Sequence, residues 1–391
     1  MMTEADLIDK INQIDWEFSN CDTQYLTHNI HRYSGKFIPQ IAATAIELLS
    51  SPGDCILDSY MGSGTTLLEA KLKNRNAIGV DINPLAVLIS TVKNTPVTPL
   101  DILELDSVVV PFVNGLLSDG QLSFVTPTLD KAFCLAEYND NLWRLEDAWN
   151  KKWYQEDVLQ QLVEIYSCII SLKNKKAMNI ALVAFSDILR KSSNASSKYP
   201  NVMYDKNTKK KPLPAKSFLD SLMHVKEAVI QMSEAVAGHS GNIDIMMQNN
   251  LNLELMDNSV DAIITHPPYI AAVPYAEYGC LSLNWLGYDS KELDLQLTGG
   301  KRHSKKVVSR FEDDYEKYFI ESYRVLKPNG YMFLMVGNPT AHGERVDLNQ
   351  MTVDLAIKAG FKHISTAIRQ GQNRRGNKMG EEYLIFVQKN G

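Results

Sequence analysis

The stretch from Pro52 to Ile89 constrains the fold more than any other part of the chain. The short apolar run CILD, Cys55 to Asp58, leads into a turn built from Gly62, Ser63, Gly64, Thr65 and Thr66. A helical segment, TLLEAKLKN, follows, and then a second strand, AIGVD, which ends on Asp81. Strand, glycine turn, helix and strand in this order make half of a doubly wound parallel sheet, in which ligands bind beyond the C-terminal ends of the strands. Gly64 is followed by Thr65 and Thr66 rather than Lys-Ser/Thr, so the turn is not a phosphate-cradling P-loop. Ser63 is flanked directly by Gly62 and Gly64, which excludes the nucleophile elbow G-x-S-x-G. What remains is a tight turn that admits a ligand close to the backbone. Asp81 lies 17 residues beyond Gly64, where a carboxylate of such folds accepts hydrogen bonds from a ribose diol. Asp58, the glycine turn and Asp81 together point to a nucleoside-containing cofactor.

Further strands are expected at VDAIIT, GYMFLMVGN, HISTAIRQ and EEYLIFVQK. The last two are joined by GQNRRGNKMG and read as a terminal antiparallel hairpin. Between residues 101 and 240 the pattern changes to helical. Leu159, Leu162, Val163, Tyr166, Ile169 and Ile170 share one face, as do Ala181, Ala184, Phe185 and Ile188, and a third helix is expected from Phe218 to Met232. The expected organisation is an α/β domain whose cofactor-binding half is residues 1–100 and whose catalytic half is residues 241–391. The helical insertion at 101–240 separates the halves. The first residues, MMTEADLIDKINQIDW, form a polar amphipathic helix with neither the cationic start nor the apolar core of a signal peptide.

With 391 residues, 45% of them hydrophobic and 22% charged, the chain can bury a sizeable core. No apolar run reaches a membrane span of about 18 residues, and the five scattered cysteines form no CxxC pair, so no metal site or disulfide framework is expected and the cytoplasm is the expected compartment. A net charge of -6 excludes a protein coated in positive charge. It does not exclude nucleic acid, because local basic strips supply phosphate contacts. Two basic loops qualify: one carries Lys209, Lys210 and Lys211, the other Lys301, Arg302, Lys305 and Lys306. Arg374 and Arg375 at the hairpin tip add to the same strip.

The segment SPGDCILDSYMGSGTTLLEAKLKNRNAIGVDINPLAV resembles the cofactor-binding motif of S-adenosylmethionine-dependent amino-methyltransferases of DNA, which make N6-methyladenine or N4-methylcytosine. HRYSGKFIPQIA, with Lys36 and Phe37, is similar to the family's segment that closes over the methionine end of the cofactor. The resemblance covers residues 28 to 95 and 243 to 388 and leaves the insertion outside. It implies a Rossmann-like methyltransferase fold, S-adenosylmethionine as cofactor, double-stranded DNA as partner, and a restriction or phage-defence setting. Cofactor contacts would fall on Lys36, Phe37, Asp58, Gly62, Ser63, Gly64, Thr65, Thr66, Asp81 and Ile82. Asn249 or Asn250 stands where the family carries an acidic residue beside the adenine, and Ser59 and Tyr60 replace its usual Pro-Phe. The order of motifs places target recognition in residues 101–240.

ITHPPY, ending at Tyr269, occupies the place of the family's Asp/Asn/Ser-Pro-Pro-Tyr/Phe, with His266 as the departure. An exocyclic amine is a poor nucleophile because its lone pair is delocalised into the ring. Accepting its hydrogens from two directions draws the nitrogen towards tetrahedral geometry. Proline fixes φ and has no N–H, so Pro267 followed by Pro268 would hold a carbonyl towards the pocket, and Tyr269 would stack on a base taken out of the helix. Neutral His266 has one acceptor nitrogen and protonated His266 none. Transfer to carbon 5 of cytosine is not expected, since no Pro-Cys pair exists. Methylation of guanosine N2 in transfer RNA and a catalytically silent homologue remain as rivals. Only about 27 residues precede the cofactor-closing segment, which leaves little room for an RNA-binding module. The sequence-based expectation is that activity falls as pH drops through an ordinary histidine pKa of about 6.5, measured as initial rate against pH.

Overall fold

The computed structural model describes residues 3–36, 38–119, 137, 139–199, 201–270, 273–300, 304–372 and 378–391. Helix α1, Glu4–Gln13, starts at a reciprocal cap between Thr3 and Asp6 and buries Leu7 and Ile11. Helix α2, Pro39–Leu49, is followed by the expected unit: β1, Cys55–Asp58; α3, Thr65–Leu72; β2, Asn76–Asp81; and α4, Pro84–Asn94. The insertion contributes α5, Val110–Asp119; α6, Glu156–Ile170; α7, Lys175–Ser192; and α8, Pro214–Ala235. The chain then returns to the sheet with β3, Ile243–Met247, and β4, Val260–Thr265. Helices α9, Tyr275–Trp285, and α10, Val307–Val325, lead to β5, Leu326–Gly337, and α11, Leu348–Lys358. The terminal hairpin is β6, Phe361–Gln372, with β7, Lys378–Lys389.

These seven strands form one sheet in the order β3-β2-β1-β4-β5-β7-β6. The first five are mutually parallel, and β7 runs antiparallel to both of its neighbours. This is a Rossmann-like methyltransferase fold, doubly wound with a C-terminal antiparallel hairpin. Both faces are covered, so the central strands are apolar on both sides and alternate between two cores. Ile56, Ala262, Ile264, Phe333, Met335, Leu384 and Phe386 face α1, α2 and α3. Leu57, Ile263, Met332, Leu334, Val336, Ile385 and Val387 face α10 and α11.

Two expectations are refined. The strand expected at GYMFLMVGN begins four residues earlier, at Leu326, and takes in a Lys-Pro-Asn-Gly turn: Asn329 has a left-handed φ of 62°, and pairing with β4 jumps from Leu326 to Tyr331. The insertion, expected as a block ending at residue 240, does not pack by itself. Its core continues through Leu85, Ile89 and Val92 of α4 and through Ala276, Leu281, Leu283 and Trp285 of α9. Trp285 sits at its centre, against the rings of Phe185 and Tyr166 at 5.1 and 5.2 Å. The helical layer is therefore rigidly attached behind the glycine turn and beside the segment that follows Tyr269.

The glycine turn itself is held from behind by α4. Gly64 has a φ of 76°, and a Cβ there would lie 2.2 Å from Ser90 Oγ and 2.5 Å from Asn94 Nδ2. Left-handed backbone and a filled space both require glycine. Replacing Gly64 with Ala should cost about 2–3 kcal/mol of unfolding free energy. Urea denaturation followed by circular dichroism would show it, and an unchanged midpoint would contradict this account.

Candidate active site

The C-terminal ends of β1, β2 and β4 open into a cleft of about 800 Å³, open to solvent. Asp58 ends β1 and is buried; its Oδ1 accepts from Thr265 Oγ1 at 2.7 Å and from the Tyr60 N–H at 3.3 Å. Asp81 ends β2, and its two oxygens accept the N–H groups of Gly62 at 2.9 Å and Asn83 at 2.8 Å. One carboxylate thus ties the turn after β1 to the turn after β2. Burial pushes both carboxyl groups up, each to about 6, against hydrogen bonds that favour the charged form.

Lys36, Asp58, Gly62, Ser63, Thr65, Asp81, Ile82, Asn249, His266 and Pro268 all line this one cleft. Gly64 and Thr66 lie behind the lining, at the start of α3, and Pro267 is buried beneath it. Phe37 lies outside the described residues. Both candidate asparagines reach the cleft, but buried Asn250 donates its Nδ2 to the Ser59 carbonyl at 3.0 Å, whereas Asn249 is exposed.

Tyr269 does not line the cleft. Its ring packs over Gly337 of β5, where a Cβ would approach Cε2 to 3.0 Å. Its hydroxyl meets His266 Nε2 at 2.9 Å and donates to Glu382 Oε1 at 3.5 Å. Arg369 of β6 holds Glu382 at 2.7 Å and donates its Nε to the Trp16 carbonyl at 3.1 Å. The residue at the family's acidic position is therefore braced through Tyr269 by the terminal hairpin. Burial lowers the His266 pKa to about 4. The expected acid limb at an ordinary histidine pKa is corrected accordingly: the ring is neutral well below pH 6.

Sequence reasoning missed several lining residues. Tyr33 and Tyr275 stand 6.1 Å apart with nearly parallel rings, and Asn83 bonds the Tyr33 hydroxyl while capping α4. Gln248, Gln296, Leu297 and Thr298 complete the wall. The Asn83-Pro84 helix start was a readable cap signal, whereas Tyr275 and residues 296–298 come from segments without periodicity. Of the basic candidates, Lys209 and Lys210 are exposed and Lys211 half-buried, between α7 and α8. Lys305 and Lys306 are exposed at the start of α10, a few residues beyond the cleft-lining Thr298. Lys301, Arg302, Arg374 and Arg375 lie outside the described residues.

Residues 6–91 match a family model described as DNA methylase. The Type II methyltransferase M.MvaI of Kocuria varians is 26% identical, over 92% of this chain and 87% of that protein. The Type II methyltransferase M.MjaII of Methanocaldococcus jannaschii is 24% identical, over 83% of this chain and 76% of its own length. The chain is similar to DNA methyltransferases over most of its length. Among solved structures, a SAM-dependent methyltransferase of Methanosarcina mazei aligns with a TM-score of 0.35 and 13% identity, over 88% of this chain and 97% of that one. The cofactor of this methyltransferase is S-adenosylmethionine, and the cleft suits it: the Asp81 and Asp58 carboxylates at the ends of β2 and β1 are acceptors of the kind that a ribose diol and a cationic group require.

For this methyltransferase the two raised carboxyls fix a sign. Their folded pKa of about 6 exceeds the ordinary 3.8, so ionisation costs folding free energy above pH 6 and a bound cation offsets that cost. Affinity for S-adenosylmethionine should therefore weaken as pH falls from about 7 to about 5. Calorimetric titration across that range should place the inflection near pH 6 in both the native protein and His266→Asn. An inflection that disappears with His266 would reassign it.

Proposed function

We propose that this methyltransferase modifies the exocyclic amino group of a base rotated out of duplex DNA, N4 of cytosine or N6 of adenine, at a specific sequence in a restriction-modification or phage-defence setting. The observation that carries the reading is the meeting of the glycine turn, Asp58 and Asp81 with His266 and Pro268 in one cleft. When bound, S-adenosylmethionine supplies an electrophilic methyl group on its sulfonium. The chain's own groups do the rest. Asp81 takes the ribose diol and Asp58 the positive charge at the methionine end. The Pro267 carbonyl, with no N–H beside it to compete, accepts one amine hydrogen. In its neutral form, which fits its low pKa, His266 is the candidate side-chain acceptor for the other. Tyr269 offers an aromatic face to the base, once that base enters between it and the cofactor.

The insertion and the basic segments supply the DNA-facing side. Lys209, Lys210 and Lys211, with Lys305 and Lys306, meet phosphates, and the helices of residues 101–240 read sequence. The Type II names of the relatives favour DNA over RNA for this chain. The test is labelled-methyl transfer to unmethylated duplex DNA and to bulk transfer RNA, followed by digestion and mass identification of the nucleoside. N4-methylcytosine or N6-methyladenine is the expected product. N2-methylguanosine in RNA would overturn the substrate, and label in neither would make the protein a silent homologue. Tyr269→Ala should lower the rate about 10–100-fold through lost stacking while leaving cofactor affinity unchanged.

A further inference from the structure

Helix α4 carries an apolar stripe, Leu85, Ile89 and Val92, into the helical core, yet three polar side chains on it are just as deeply buried: Ser90, Lys93 and Asn94. Spacings of three and four residues put them on one face. That face meets the back of the glycine turn. Asn94 Nδ2 donates to the Gly64 carbonyl at 3.3 Å, and Lys93 Nζ donates to Ser63 Oγ at 3.2 Å.

Lys93 is 1% exposed. Burial drives its pKa well below that of a free lysine; the neighbouring charge of Lys36 pushes the same way and Glu69 opposes it. Glu69 forms no ion pair with it. That carboxyl accepts instead from Tyr25 at 2.6 Å and from His28 Nε2 at 2.8 Å, and burial raises it to about 7. Lys36 donates to the His28 carbonyl. A buried amine facing a hydroxyl is costly as an ammonium unless an anion comes close.

The cleft on the other side of Ser63 is where such an anion arrives. Asp81 places the ribose at the end of β2, so the amino-acid end of the cofactor extends towards the glycine turn. That end carries a carboxylate. Lys36 is the one cation among the described lining residues, which otherwise present Asp58 and Asp81. Beside Ser63, the hydroxyl of Thr65 lines the cleft, is 4% exposed and has no hydrogen-bond partner among the described residues. Thr65 is also the first residue of α3, whose initial N–H groups point outward.

We propose that Lys93 is a positioning residue for the cofactor carboxylate. It acts through Ser63: by donating to Oγ, it turns the Ser63 hydroxyl hydrogen towards the cleft, and its charge falls behind that hydrogen. Lys36 approaches the same carboxylate from the front. This rests on the S-adenosylmethionine reading of the cleft, and the test separates the two.

The probes are S-adenosylhomocysteine and its decarboxylated analogue, titrated calorimetrically into the full chain. Lys93→Met should weaken S-adenosylhomocysteine about tenfold or more and leave the decarboxylated compound within about twofold. Ser63→Ala should weaken the same ligand selectively, and Lys93→Met added to Ser63→Ala should cost little more. Because Ser63→Ala is a small change, it decides the matter even if Lys93→Met fails to fold. Equal effects on both ligands, or none on either, would overturn the proposal and leave Lys93 a packing residue. A native protein that binds neither compound would instead bring down the cofactor reading.

Discussion

Two backbone N–H groups from different parts of the chain converge on the carboxylate of Asp81, and the cleft depends on that convergence. Gly62 belongs to the turn after β1 and Asn83 to the turn after β2, so one side chain fixes the spacing between adjacent strand ends. The Met61 N–H adds a third tie, to the Val80 carbonyl at 3.1 Å. From behind, α4 fills the space where any residue larger than glycine at position 64 would intrude. The floor of the site is thereby determined from three sides before a ligand enters. Preorganisation of this kind lowers the cost of ordering the site on binding.

The same burial that makes the floor rigid leaves its charges poorly compensated. Asp58 and Asp81 are pushed up to about 6, Glu69 to about 7, and Lys93 well down. In the proposed binding mode, the positive sulfonium and amine of the cofactor face the carboxylates and its negative carboxylate faces the lysines.

Departures from the family pattern acquire physical partners in the structure. Ser59, where proline is usual, bonds the Tyr318 hydroxyl at 2.8 Å, and Tyr60 packs on the Tyr318 ring with centroids 4.9 Å apart. His266 is the larger change. It stays neutral because it is buried, and Tyr269, Glu382 and Arg369 support it in series. Glu382 and Arg369 face each other across β6 and β7, so the antiparallel hairpin braces the histidine-proline segment as well as closing the sheet.

The sequence by itself determined the βαβ unit, because two short apolar runs joined by a glycine turn and a helical segment are local patterns that tolerate few folds. It also determined most of the cleft: the glycine turn, Asp58, Asp81 and the histidine-proline segment sit at strand ends, and strand ends of a parallel sheet converge. Where the insertion packs was decided only by the tertiary structure, since an amphipathic stripe such as that of α7 says what is buried and not against what. The same holds for Tyr33, Tyr275, Glu382 and Lys93. Each is an ordinary residue in its own segment and gains a role only when another segment, hundreds of residues away in some cases, is brought within hydrogen-bonding reach.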